Sequence, residues 1–185
     1  MAEDLGNRLL PVFNSPTGLP YVYINLRTGE TRDAVTNPAE AGTLLLEFGT
    51  LSKLTGRPVF YERAKRVLVE IFKRRSPLEL VGQSINVETG IWTNTDSHIS
   101  GGIDSYYEYL WKCWRLFGDE DCRDMWNASI LAVNKYLVDE IGGELWYGHA
   151  DMQTGKRTRT TYGALDAFFP ALLALSGDLG RARRL

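Results

Sequence analysis

Apolar and polar positions along the chain alternate between two periods. Short segments such as Tyr21-Val22-Tyr23 and Ile91-Trp92-Thr93 are built from β-formers on either side of a turn. Between them lie longer runs with apolar residues three and four apart, the spacing of a helix that buries one face. The turns share one form, (I/A)-(N/D)-x-x-T-G. They are Ile24-Asn25-Leu26-Arg27-Thr28-Gly29, Ile85-Asn86-Val87-Glu88-Thr89-Gly90 and Ala150-Asp151-Met152-Gln153-Thr154-Gly155. An Asn or Asp followed closely by Gly between such flanks predicts a β-hairpin tip.

The Thr-Gly steps at 28, 89 and 154 give a period of sixty-one to sixty-five residues. A second marker runs in phase with it: apolar-periodic runs end at Gly56, Gly118 and Gly177. Glycine there tolerates the left-handed conformation that closes a helix. Two markers with one period predict a repeat of hairpin, helix, tight turn, helix. The first helices are expected over 39–55, 101–117 and 160–176, the second over Val59 to Arg75, Glu120 to Glu140 and onward from Asp178. Residues 2–13 read as one more helix of the second kind. The first helices are more apolar and aromatic, while the second carry charges such as Glu62, Arg63, Lys65 and Arg66. First helices inside and second helices outside is the arrangement this predicts. The class is all-α with short hairpins at one end, the pairs stacking as an open solenoid or a closed toroid. Both termini fall inside a repeat, so residues 1–185 are expected to be part of a larger domain, truncated at both ends.

Carboxylates interrupt the inner helices, which predicts a polar cavity rather than a dry core. Asp104 and Glu108 stand four apart among Tyr106, Tyr107, Tyr109 and Trp111, on one helical face. A charge near that much apolar surface is costly unless it is paired or used. Asp104 reads as an acid, a base or a water-positioning group, or as a helix-start aspartate favoured by the dipole. Glu108 reads as an acceptor for a ligand hydroxyl or as the partner of a tyrosine or arginine. Glu47 breaks Leu44-Leu45-Leu46-Glu47-Phe48, and Asp166 breaks a similar run. His98 and His149 are single histidines near hairpins, read as solvated or structural. Trp92 and Tyr147 read as packing against the helices below, with sugar stacking the sharper alternative.

Composition narrows the class. Twenty-one basic residues against twenty-three acidic ones leave a net charge of −2, with the basic residues scattered apart from short clusters at 73–75 and 181–184. That argues against a nucleic-acid partner. No apolar run approaches the length of a membrane span. Cys113 and Cys122 lack metal-ligand spacing and are too few for a disulfide framework. They flank the turn at Gly118, so a bridge across a helix hairpin is geometrically allowed, but two unlinked packed thiols are the plainer reading. No metal-ligand set is evident. Asn127-Ala128-Ser129 is a formal glycosylation acceptor inside a predicted helix.

Three segments, in order, resemble glycoside hydrolase family 47, the class I α-1,2-mannosidases. They are Ala2 through Tyr21, Gly42-Thr-Leu-Leu-Leu-Glu-Phe-Gly-Thr-Leu-Ser-Lys-Leu-Thr-Gly56 and Gly102-Ile-Asp-Ser-Tyr-Tyr-Glu-Tyr-Leu110. Gly101-Gly102-Ile103 looks more like the ER degradation-enhancing branch, because the processing branch has an arginine in place of Gly102. The resemblance implies an incomplete (α/α)7 barrel of about three helix-pair repeats. It also implies inverting, calcium-dependent removal of terminal α-1,2-mannose from high-mannose N-glycans or glycoproteins, in the secretory pathway or ER lumen. Carried over by position, Asp104 matches one of the acid/base carboxylates. Glu47 matches a pocket carboxylate, and Glu108 lies in the same motif as Asp104. Two further catalytic glutamates and the calcium-ligand threonine of the family have no counterpart here, so the isolated chain is expected to be inactive. Gly163-Ala164 stands where family members place a histidine or a polar pair. The alternative is a mannose-glycan-binding or interaction module on the same scaffold that does not cleave.

Overall fold

A computed structural model describes residues 1–185. In chain order the elements are α1 (Ala2–Leu9), β1 (Tyr23–Ile24), β2 (Thr31–Arg32), β3 (Val35–Thr36), α2 (Pro38–Gly42), α3 (Leu45–Thr55) and α4 (Pro58–Lys73). Then come β4 (Ser84–Asn86), β5 (Trp92–Asn94), β6 (Asp96–Ser97), α5 (Asp104–Phe117) and α6 (Glu120–Tyr136). The last stretch holds β7 (Val138–Ile141), β8 (Glu144–Tyr147), β9 (His149–Asp151), β10 (Arg157–Arg159), α7 (Phe169–Leu175) and α8 (Leu179–Arg184).

The three predicted hairpin tips form by one local mechanism. In each, the Asn or Asp side chain (Asn25, Asn86 or Asp151) accepts the backbone N–H of the residues two and three ahead, at 2.8–3.2 Å. The threonine hydroxyl accepts the N–H two residues beyond itself. The glycine between them takes φ of 77°, 71° and 69°. The motif therefore recurs because each of its three polar or flexible positions satisfies a backbone group or a turn angle.

The hairpins are stitched to one another. β3, which follows the first hairpin, pairs antiparallel with β4 of the second, and β6 pairs with β9 of the third. Behind each hairpin stands a helix pair: α3 with α4, α5 with α6, and α7 with α8. Of the first members, α3, with α2 before it, packs on α5. The second members bury one stripe, such as Phe60, Ala64, Val67, Leu68 and Ile71 on α4. One hydrophobic cluster runs through all three pairs, so a continuous core forms only by stacking. No helix is long and apolar enough to cross a membrane.

Several boundaries differ from expectation, each for a local reason. The first inner helix is broken between α2 and α3. A side chain at Gly42 would meet Tyr106 at 2.8 Å, and Thr43 Oγ1 bonds back to the Ala39 carbonyl at 2.5 Å. The third inner helix begins as a 3-10 turn, Ala164–Phe168, before α7. Residues 2–13 split into α1 and a 3-10 turn containing Pro11. The helix expected to reach Glu140 stops at Tyr136, and Val138–Ile141 folds back on Glu144–Tyr147 through Gly142-Gly143. Cys113 and Cys122 form a disulfide with a Cα–Cα distance of 6.0 Å, tying α5 to α6. This corrects the unlinked-thiol reading. Asn127 of the acceptor sequence is exposed, but Ser129 is buried in α6.

Candidate functional site: the inner face of α3 and α5

The turn Ser100–Ile103 sets up α5. The Ser100 carbonyl accepts the N–H of Ile103 at 3.1 Å and of Asp104 at 2.9 Å, while the Gly102 carbonyl accepts Ala39 N–H at 3.0 Å. Gly102 has φ of +99°, a conformation L side chains rarely adopt. A side chain at Gly101 would meet Leu165 at 2.5 Å. The double glycine thus lets the chain turn tightly between the first and third repeats and start a helix at Asp104.

Asp104 is half-buried at the first position of α5. Its Oδ1 accepts Ser105 N–H at 2.7 Å and the Ser105 hydroxyl at 3.2 Å, and its Oδ2 takes no hydrogen bond from the protein. One turn along, half-buried Glu108 pairs with Lys112 at 2.5 Å. The expected tyrosine or arginine partner is therefore a lysine of the same helix, which the i, i+4 spacing could have revealed. Glu47, in the first turn of α3, is exposed and accepts the Tyr109 hydroxyl at 2.9 Å. Burial, that hydrogen bond and the charges of Glu47 and Glu108 all raise the Tyr109 phenol pKa, so the phenol stays a proton donor. The Tyr109–Glu47 bond therefore ties α5 to α3. The principal cavities lie elsewhere. The carboxylates occupy an open inner face rather than a closed hollow.

Asp166 does not join them. It is buried, and its Oδ2 accepts Gly163 N–H at 2.7 Å, closing the 3-10 turn. Trp92 and Tyr147 pack as expected: Trp92 Nε1 donates to the Arg74 carbonyl at 2.6 Å, and Tyr147 is buried with its hydroxyl on Asn134 at 2.6 Å. The histidines depart from the solvated reading. His98 and His149 are both buried, their ring centroids 4.3 Å apart. His149 Nδ1 lies 2.7 Å from Asp96 Oδ2. Burial and the neighbouring His149 push His98 down to about 4.

Calcium takes roughly six to eight oxygen ligands. The groupings of three or more metal-type side chains are Asp96 with His98 and His149, and Asp119 with the two bridged cysteines. The first is rich in imidazole, which suits transition metals, and the second has its sulfurs in a disulfide. The residues of this chain do not fit a calcium site.

A family model, Glycosyl hydrolase family 47, matches residues 1–184. The chain belongs to glycosyl hydrolase family 47. It is 44% identical over 184 residues to "Alpha-mannosidase I MNS5" of Arabidopsis thaliana, covering 98% of this chain and 31% of that relative. It is 42% identical to the human "ER degradation-enhancing alpha-mannosidase-like protein 3", covering 97% of this chain and 20% of that protein. In fold it is similar to the "alpha-1,2-mannosidase from Trichoderma reesei", with a TM-score of 0.79 at 23% identity, over 97% of this chain and 39% of that one. That neighbour is an (α/α)7 barrel, and the family 47 chain forms an arc of about three of its seven helix pairs. It spans a fifth to a third of the length of the curated relatives it matches.

Proposed function

We propose that this chain forms part of the catalytic domain of a mannosyl-oligosaccharide 1,2-α-mannosidase, one that removes terminal α-1,2-linked mannose from N-glycans with inversion. The observation that carries this reading is Asp104 itself. It heads an inner helix within the family's span, with one carboxylate oxygen held by Ser105 and the other free of protein partners. Inverting hydrolysis uses two carboxyl groups roughly 6.5–9.5 Å apart, one to protonate the leaving oxygen and one to activate water on the opposite face. Asp104 supplies one of the two. Ser105 fixes its rotamer, so the free oxygen is held in place for a proton transfer or for a water.

Glu47 and Glu108 are assigned to sugar binding. Each keeps one oxygen occupied, by Tyr109 and by Lys112, and offers the other to a sugar hydroxyl. Charge-assisted bonds of this kind are about twice as strong as neutral ones. The second catalytic carboxylate, and the oxygen ligands of a family calcium ion, would come from other parts of a longer parent. Mannose release from α-1,2-mannobiose, measured for the parent and for the 185-residue chain, tests the proposal. Turnover by the parent and none by the chain is expected. Robust turnover by the chain alone, or an inactive parent with both carboxylates intact, would refute it.

A further inference from the structure

Asp96, His98 and His149 meet at the seam where β6 pairs with β9. Each offers one ligating atom, and the three atoms lie within 4.8 Å of one another. Both histidines are buried, and they are the only two in the chain. Two imidazoles and a carboxylate make up the donor set of open zinc sites and of related late transition-metal sites. None of the three has a part in the Asp104 chemistry.

Adjacent ligands on one zinc ion, with bonds of about 2.0–2.2 Å, stand roughly 3.3–3.5 Å apart in a tetrahedron. Asp96 Oδ2 and His149 Nδ1 are 2.7 Å apart, joined by a hydrogen. A divalent ion can take that hydrogen's place, whichever of the two atoms holds it, if the pair opens by roughly 0.6–0.8 Å. Asp96 Oδ1 accepts the Thr158 hydroxyl at 2.5 Å. That bond steadies the far end of the carboxylate and leaves Oδ2 for the ion, as the outer partners of metal ligands do. His98 completes the set by giving up one hydrogen bond. Its Nδ1 accepts Ser100 N–H at 3.1 Å. An ion on Nδ1 displaces that bond outright, and an ion on Nε2 leaves the ring proton on Nδ1, which then has no lone pair to offer. Either way, Ser100 N–H is released.

Beside the trio lies a cavity of about 280 Å³, walled by Ser100, Arg159, Tyr162, Asp166 and both histidines, among others. Only one of its ten lining residues is hydrophobic. Three protein ligands leave one position of a tetrahedral ion open, and a polar cavity of this size has room for a water there. We propose that Asp96, His98 and His149 bind a divalent late transition-metal ion of the zinc class, which pins the third hairpin to the strand following the second. Asp96 and His98 come from one side of that seam and His149 from the other, so the ion cross-links two repeats. Its nitrogen donors set it apart from a calcium site. The proposal stands independently of the glycan reading above.

The test is a titration of the tag-free, ¹⁵N-labelled 185-residue chain, first stripped with EDTA, with zinc chloride. Calcium chloride is the control. Calorimetry should show zinc and chain binding in equal amounts, and Tm should rise by about 5–10 °C at free zinc a hundred times Kd. In the NMR spectrum, Ser100 N–H and both imidazoles should shift together and saturate with zinc, and should not move with calcium. Thr158→Val, which touches only the outer oxygen of Asp96, should weaken binding by about 10-fold, and His98→Ala and His149→Ala by more than that. Should a variant fail to fold, the unsubstituted titration still decides. No saturable zinc binding overturns the proposal. Binding that leaves Ser100 N–H and the imidazoles unmoved, or that survives undiminished in both histidine variants, marks an adventitious ion only and overturns it. Equal shifts with calcium overturn it too.

Discussion

Replacing Asp119 with alanine should unlatch α4 from the α5–α6 turn. Asp119 Oδ1 accepts Cys122 N–H at 3.2 Å, capping α6, and is bonded to Lys65 Nζ, while its Oδ2 accepts the Tyr61 hydroxyl. The Lys65 and Asp119 side chains are only 13% and 16% exposed, so the pair is shielded enough to matter. Losing an N-cap costs about 1 kcal/mol. A hydrogen bond to a charged group is worth about 1.5–3 kcal/mol, and stripping one partner from a fully buried ion pair costs about 3–5 kcal/mol. Lys65 keeps a fallback in Asp121 at 3.3 Å, but that carboxylate is 80% exposed. These contributions overlap and the pair is not fully buried, so the cost is about 2–4 kcal/mol, a fall in Tm of roughly 5–15 °C for a chain of this size. Burial alone would raise the Asp119 pKa, but the hydrogen bonds from Lys65 and Tyr61 outweigh it and lower it. A depressed folded pKa stabilises above the unfolded value and loses that contribution as pH falls through the folded one. Urea unfolding of both proteins from pH 7 to pH 3 should show the gap narrowing with acidity. A gap under about 0.5 kcal/mol at pH 7 would refute the reasoning, and so would one that stays constant across the range.

Three further outcomes follow from single features. Asp104→Asn in the parent should cut mannose release by about 10²–10⁴-fold. It should leave Tm unchanged, because the amide oxygen can still accept from Ser105; a large loss of Tm would recast Asp104 as a helix-start residue. Cys113→Ala with Cys122→Ala, or reduction, opens a loop of sequence separation 9; the chain-entropy model puts the loss at about 2.5–3 kcal/mol, read as a shift in urea midpoint with and without reductant. His98, held at about 4 in the folded chain, takes up its proton more readily once unfolded. Stability should therefore fall as pH drops from about 6.5 toward 4, by about 3 kcal/mol in all. His98→Asn should flatten that part of the profile, and histidine C2–H titration by NMR checks the midpoint directly.

What could be read from the sequence divides by the range of the interaction. The three hairpin tips and the glycine-closed helix ends are decided within six residues, by side chains that bond their own backbone, and the structure reproduces them. The inner-helix carboxylates were visible for the same reason, since four-residue spacing is a local property. The partner of Glu47 was not visible, because Tyr109 reaches it from another repeat. β7 and β8 lie where the helical run was expected to continue to Glu140, and Gly142-Gly143 supplies the turn between them.

The pairing of the two histidines, read singly as solvated or structural, is the most instructive case. Val35 and Thr36 pair with Asn86 and Ile85, and Asp96 and Ser97 pair with Asp151 and Ala150. Shifted by one repeat, these are the same register, so β6 and β9 stand to each other as β3 and β4 do. One residue further along each strand, that shared register sets Asn37 beside Ser84 in the first seam and His98 beside His149 in the second. The sequence therefore held the information, but only for a reader who already knew that consecutive hairpins pair across the repeat. Propensity does not encode that link, because it arises when stacked helix pairs bring their hairpins edge to edge. Unpaired strand edges two to four residues long gain little alone, and they become ordered where a neighbouring repeat completes them. A polar pocket at such a seam needs no new backbone, only two substitutions on strands the fold has already aligned. In a stacked-repeat domain, seams between hairpins are therefore where new binding chemistry can arise without disturbing the inner helices that carry Asp104.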